Sequence, residues 1–434
     1  MDTSNKLLPD YVIDHKSGGG ARVYATAIKT AYFEEHTRLY AKDLFPNSIV
    51  HSAGLLVHLA THLPHPKNPN APLMSAQQLV ERFVDIAQTL PKRPNLILNG
   101  NNGKKLQEAI YSIIGNARLK DINGTMFTTY HKIGGGEQSY VPIARLVNPE
   151  TGEVTYIGDP EKYLIDTAMS ATALHTLFPP HEEGTDLAIA DNTAVPLLTL
   201  RQLFENKTGL FVRMGNFRAS YDPKNYQRLH TSGHIRSSLT GTAARAISNN
   251  VYSQSLQIAR SLFNPQLVFN LEQELDFSRQ HNPKVEANVA TPIQFKRIRA
   301  LTEEFIEANR NTFEYLGDLL GEMAIRRMNV NPDAAFGNCN LGVVRPEPFT
   351  FPPAANDDLL SPSGSKEGKA VLSKVFMKEG RSRVIGALMG AWQALGLASF
   401  GHQLPANANQ PTPTDQIQRS TTRQPSQEIA NDLK

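Results

Sequence analysis

Over the first two-thirds of the chain, short apolar runs alternate with stretches whose apolar residues recur at helical spacing. Tyr11 to Ile13 reads as a short buried strand running into the glycine loop Ser17-Gly18-Gly19-Gly20; Ala27, Ile28, Ala31, Tyr32 and Leu39 then recur with a helical period. Ser48-Ile49-Val50-His51 is a second short apolar stretch, and the helix-compatible Ala53 to Ala60 follows at once, so Ser52 falls on a sharp strand-to-helix junction. Further strands are expected at Thr125 to Lys132, Tyr140 to Val147, Leu187 to Ala190 and Leu210 to Met214, with helices around Ser75 to Leu90 and Tyr163 to Leu174. Strands alternating with helices predict a layered α/β sheet.

From about Leu239 to Leu320 the pattern turns helical, with Phe295 to Leu319 as a long amphipathic stretch, and reads as a helical cover. Beyond Pro346 the composition shifts to Pro, Ser, Asn and Gln, as in flexible segments. The expected organisation is an α/β core over 1–235, a helical region packed on it over 236–345, and a low-complexity tail over 346–434. An apolar helix at 384–400 interrupts the tail. Its Ile385, Leu388, Met389, Trp392 and Leu395 share one face, and Lys374, Lys378, Arg381 and Arg383 lie just upstream. Such a helix suits an anionic membrane surface or, equally, packing on the main domain as an ordinary core element. At about 1.5 Å per residue it reaches roughly 25 Å, near the lower limit for a span, so lying in the interface is favoured over crossing.

Composition narrows the function classes. Apolar residues at 40% and charged residues at 20% describe a soluble globular protein. The 44 Lys+Arg against 41 Asp+Glu leave +3, too little for a nucleic-acid binder that tracks phosphates. Lys296-Arg297-Ile298-Arg299 reads as a solvated helix face. The single cysteine, Cys339, permits no intrachain disulfide and points to a reducing cytosol. The polar start Met1 to Lys6 has no apolar run behind it, so no cleaved signal peptide is expected, and a leaderless secretion route stays open.

The candidate chemistry rests on three separated segments. A serine hydroxyl is a weak nucleophile until a sharp turn presents it, a base takes its proton and donors await the oxyanion. The elbow Val50-His51-Ser52-Ala53-Gly54 has small residues after the serine, although Ser52 as a plain cap of the following helix is an equally simple reading. The run Gly18-Gly19-Gly20-Ala21-Arg22 lets backbone N–H groups converge on an anionic oxygen, and a phosphate cradle or a bare turn are its alternatives. It lacks both the Gly-Lys-Ser/Thr ending of the P-loop and the dinucleotide Gly-x-Gly-x-x-Gly. Asp191, at the end of the apolar Ala188-Ile189-Ala190, is a candidate base or a turn residue. His58 and His62 at i and i+4 have no glutamate to complete a zinc-protease pattern, so no metal is expected.

A glycine triplet ending in a basic residue, a serine elbow about thirty residues on and a distant aspartate at a strand end together resemble the patatin-like phospholipase family. The match lies on Gly18, Gly19, Gly20 and Arg22, on Ser52 and Gly54, and on Asp191; Leu164 to Ala173 with Phe178-Pro179-Pro180 is also similar to the family's segment before its aspartate. The likeness spans residues 9 to 220 and thins toward 320. Val50, Val23 and Asn192 depart from the family pattern, Val50 and Val23 standing where glycine is usual. The resemblance implies a three-layer α/β fold and a lipid acyl hydrolase of phospholipase A or lysophospholipase type. It further implies a Ser52–Asp191 dyad, an oxyanion hole of Gly18, Gly19, Gly20, Ala21 and Arg22, no cofactor, a phospholipid or other lipid ester as substrate, and room for an activating protein partner. A β-branched Val50 two residues before the nucleophile is expected to crowd the elbow, which leaves a second class open: a fold-retaining membrane- or partner-binding protein without turnover.

Overall fold

The computed structural model of the chain describes residues 8–89, 100–132, 140–172, 181, 194–215, 217–219, 255–275 and 291–330. The chain divides into Met1–Ala354 and Ala355–Lys434, and every described residue belongs to the first.

The chain opens with β1 (Tyr11–Lys16), α1 (Tyr24–Thr37), α2 (Ala41–Leu44), β2 (Asn47–Val50) and α3 (Gly54–His62). A hairpin of β3 (Pro64–His65) and β4 (Asn68–Pro72) leads to α4 (Ala76–Thr89) and α5 (Gly100–Ile114). Then come β5 (Thr125–His131), β6 (Tyr140–Val147), β7 (Val154–Ile157), α6 (Leu164–Thr172), α7 (Ala194–Leu203), β8 (Gly209–Met214) and β9 (Phe217–Ala219). Helix α8 (255–262), β10 (Val268–Asn270), β11 (Gln273–Leu275), α9 (Pro292–Ala308) and α10 (Arg310–Val330) complete the described set. Seven strands form the main sheet in the order β10-β8-β1-β2-β5-β6-β7. The first five run parallel, β6 runs antiparallel to β5, and β7 antiparallel to β6.

Helices cover both faces of the sheet, which is why its central strands carry apolar residues at successive positions rather than at every second one. Val12, Val50, Val212 and Met214 enter a core shared with α1, α3, α4, α9 and α10. Ile13, Ile49 and Phe211 enter a second core with Leu197 and Leu200 of α7 and Ala259 of α8. The architecture is the three-layer α/β fold expected from the sequence. On the first face α1 packs against α4, α9 and α10. Its buried Glu34 accepts the N–H of Ala41 at 2.9 Å and of Ala76 at 2.7 Å, so one carboxyl joins the starts of α2 and α4. Burial lifts that carboxyl to about 8 against the pull of the two amides.

Three sequence expectations need correction. β1 does not stop at Ile13 but continues through Lys16, with Asp14, His15 and Lys16 fully buried, because Asp14 and Lys16 lie two apart on one face and pair with each other. The region read as helical carries β10, which joins β8 at the sheet edge, and β11. The stretch Phe295 to Leu319 is two helices meeting at Asn309, whose side-chain amide donates to the Phe305 carbonyl at 2.8 Å and ends the α9 ladder. The basic run on α9 is a solvated face as expected: Lys296 and Arg297 are exposed, Ile298 is buried, and Arg299 donates to the Tyr24 hydroxyl at 3.1 Å. The expected strand Leu187 to Ala190 and the apolar segment 384–400 lie outside the described residues. Among the described residues no helix is long and apolar enough to cross a membrane.

Candidate active site

β1 and β2 are neighbours at the centre of the sheet, so the glycine loop and the serine turn emerge side by side at its carboxyl end. Ser52 has φ +48°, in the left-handed region. A non-glycine residue there costs on the order of 1–3 kcal/mol and is held only where its surroundings impose it. The imposing contacts are local: the His51 N–H donates to the Lys16 carbonyl at 3.1 Å, and the Gly54 N–H to the His51 carbonyl at 2.9 Å. Gly54 must be glycine, since a Cβ there would stand 2.3 Å from the Lys16 carbonyl oxygen, where α3 leaves directly over the end of β1. Ala53, not Ser52, occupies the N-cap position of α3 and forms no side-chain cap bond. The reading of Ser52 as a helix cap is thereby set aside. Val50 is fully buried in β2 opposite Lys16 and Thr128, and the positive-φ turn forms with the valine in place.

The glycine loop meets this turn at Gly18. A Cβ on Gly18 would lie 2.5 Å from the Ser52 Cβ and 3.1 Å from its Oγ, so the loop backbone is seated against the serine side chain. Gly19 has φ +140°, accessible to glycine, and a short turn over Gly20–Val23 passes straight into α1. The amides of Gly20 and Ala21 lie in the short turn that feeds α1, whose N-terminal dipole favours negative charge. Arg22 Nη1 donates to the Phe217 carbonyl at 3.4 Å and so braces the loop against β9. Ser52 is half-buried, and the loop grades from buried Gly18 through half-buried Gly19 to exposed Gly20. Asp191 lies outside the described residues, although α7 begins at Ala194, close behind it in sequence.

Polar side chains crowd the same end of the sheet on both faces. On the α3 side, Lys16 Nζ pairs with Asp14, which also accepts from the Ser48 hydroxyl; Nζ lies 3.3 Å from Ser48 Oγ and 5.4 Å from the Phe45 ring centroid. Burial pushes Asp14 up and Lys16 down, each opposed by its partner. On the α7/α8 side, Arg213, His15 and His51 step across β8, β1 and the turn after β2: His15 is in register with Arg213, and the His15 and His51 rings meet edge to face at 5.3 Å. Arg213 Nη1 donates to Ser255 Oγ at 3.1 Å, with Glu272 Oε2 3.8 Å from its Nη2, and Thr129 Oγ1 lies 3.5 Å from His51 Nδ1. Both ring nitrogens of His15 and the hydroxyl of Ser17 are buried without a hydrogen-bond partner among the described residues. Each such group leaves about 1–3 kcal/mol of desolvation uncompensated. Burial first, then His51, Arg213 and Lys16, hold His15 well below the usual histidine range.

Sequence reasoning passed over His15, Arg213 and Glu272 and named Ser17 only as the start of the glycine loop. One signal was available: three consecutive ionisable residues continuing an apolar run are costly to bury unless they are used. His58 and His62 do share a face of α3, but they stack on each other at 3.9 Å, fully buried. Among the described residues no group of three or more His, Cys, Asp or Glu is placed to hold a metal ion. No protein-family model matches the chain, and no curated protein matches it.

Proposed function

We propose that the protein is a serine acyl hydrolase acting on lipid esters, with Ser52 as nucleophile. The observation that carries this reading is the left-handed Ser52 between β2 and α3 with the Gly18 backbone seated on its side chain. A nucleophile needs such a strained, outward presentation, and an oxyanion needs backbone donors close to the attacked carbonyl. Ser52 Oγ attacks the ester carbonyl while its proton passes to the Asp191 carboxylate, the role the patatin resemblance gives that residue. The amides of Gly19, Gly20 and Ala21 hold the tetrahedral oxygen. Collapse breaks the bond to the alcohol oxygen, which takes the proton and leaves; water, activated by the same carboxylate, then frees the fatty acid and restores Ser52.

A fluorophosphonate probe tests this directly. Ser52 is expected to be labelled in the full-length protein, and Ser52→Ala to lose both labelling and release of fatty acid while staying folded. Substantial turnover left in Ser52→Ala sinks the assignment. Asp191→Ala should fall to the same level, and the double variant no lower, because groups acting as one unit are non-additive.

Val50 supports a second reading, a binding protein that keeps the fold without turnover. A folded protein that neither reacts with the probe nor releases fatty acid, yet sediments with lipid vesicles, favours that alternative. Val50→Gly separates the two further: a strained but working elbow keeps or gains activity when the branched side chain is removed.

A further inference from the structure

β1 stands where the chain's crossovers part. α1 follows it onto one face of the sheet, while α8, after β8, lies on the other. In open α/β sheets the carboxyl ends of strands at such a switch point border the ligand crevice. Here those ends carry Arg213 and His15, side by side in register, with Ser17 just beyond the strand and leading into the glycine loop. His15 and Ser17 are the buried polar groups left without partners at this end of β1, and a native structure retains such groups where a water, an ion or a ligand completes them. A guanidinium and an imidazole on neighbouring strands, with a hydroxyl two residues further along the chain, suit a group with several acceptor oxygens and negative charge. We propose that the carboxyl ends of β1 and β8 form a phosphate subsite of Arg213, His15 and Ser17, next in the chain to the oxyanion amides, which receives a phosphate borne by the ester substrate.

The assignment of the phosphate to a substrate rests on the reading of Ser52 as nucleophile; the anion site itself does not. The charged and titratable groups acting on His15 are Arg213 of β8, His51 after β2 and Lys16 of β1, and Glu272 after β10 stands against Arg213 as the opposing acid. Phosphate entry favours the charged imidazole that burial and the neighbouring cations disfavour, so anion binding and proton uptake by His15 are coupled. Glu272 competes with the anion for Arg213, which makes the two neighbours act in opposite directions.

Full-length Ser52→Ala protein, titrated calorimetrically with inorganic phosphate and with monomeric dihexanoyl phosphatidic acid, provides the test. Both should bind, and acetate should not. Adding His15→Leu should weaken both at least about tenfold, the worth of one charge-assisted hydrogen bond, and adding Glu272→Gln should tighten both. Failure of both ligands to bind, or affinities indifferent to both substitutions, overturns the subsite. Binding of inorganic phosphate alone overturns the substrate-borne source and leaves a free anion as the ligand. Fluorophosphonate labelling of the wild-type chain separates the two ideas: labelling without phosphate binding removes only the subsite, while phosphate binding without labelling removes the nucleophile and keeps the subsite.

Discussion

The two faces of the sheet's carboxyl end bury comparable chemistry and resolve it differently. On the α3 face, Asp14, Lys16 and Ser48 satisfy one another across β1 and β2. On the opposite face, a ring contact and a loose ion pair gather His15, His51, Arg213 and Glu272, and both nitrogens of His15 remain unbonded among the described residues. A closed network specifies how strands sit together; an open one keeps capacity in reserve for something that arrives. Ser52 stands over the seam between them. The closed face fixes its backbone through Lys16, whose carbonyl takes the His51 N–H.

The largest effect should come from breaking the closed face. Lys16→Met leaves the buried Asp14 carboxyl without its cation, and about 3–5 kcal/mol of stability should be lost in urea titration. Adding Asp14→Leu should recover most of it, because the uncompensated charge is gone and Ser48 Oγ still has the Phe45 carbonyl at 3.4 Å. A double variant no more stable than Lys16→Met would show that the pair is not what holds this face.

At the seam, Gly18→Ala puts a methyl 2.5 Å from the Ser52 Cβ, so the glycine loop must withdraw from the serine. Ester hydrolysis should drop about 10²–10³-fold, the usual cost of losing an oxyanion donor, with far less effect on the melting temperature. Gly54→Ala drives a methyl to 2.3 Å from the Lys16 carbonyl oxygen, so α3 must shift and stability should fall by about 1–3 kcal/mol. If Gly18→Ala unfolds the protein while Gly54→Ala leaves it untouched, the roles given to the two glycines are reversed.

The layered fold was readable because both faces of the sheet are covered, which makes β2, β5, β6 and β8 apolar runs with clear edges. Gly18 to Gly20 and the Ser52 junction were readable too, since three glycines in a row and a strand meeting a helix without a linker are rare patterns. The end of β1 was not: charge signals a strand's exit, and only the pairing of Asp14 with Lys16 keeps the chain in the sheet to residue 16. The open cluster was hidden for another reason. His15, Arg213 and Glu272 are about 200 residues or more apart from one end to the other, and the parallel pairing of β1 with β8 that unites them leaves no local spacing to read.

The smallest effect concerns an imidazole that tests whether an unbonded histidine by itself marks a site. His58, on the closed face, is as buried as His15, and both its ring nitrogens likewise lack a hydrogen-bond partner among the described residues, but it lies on α3 and stacks on His62. Burial, then His62 and Lys16, hold it well below the usual histidine range. A histidine whose folded pKa lies below its unfolded value of 6.5 contributes stability that is complete above that pH and is lost as pH falls through it. Each such imidazole adds about 1.4 kcal/mol per pH unit to the acid-side slope. His58→Leu should therefore leave stability near pH 8 within about 1.5 kcal/mol of wild type and flatten the decline below pH 6.5 by that one-proton slope. It should leave phosphate affinity unmoved, where His15→Leu changes it. Urea unfolding at several pH values, paired with phosphate titration, measures both: an unchanged acid slope would show that His58 is already charged when folded, and a loss of phosphate affinity would erase the distinction drawn between the two faces.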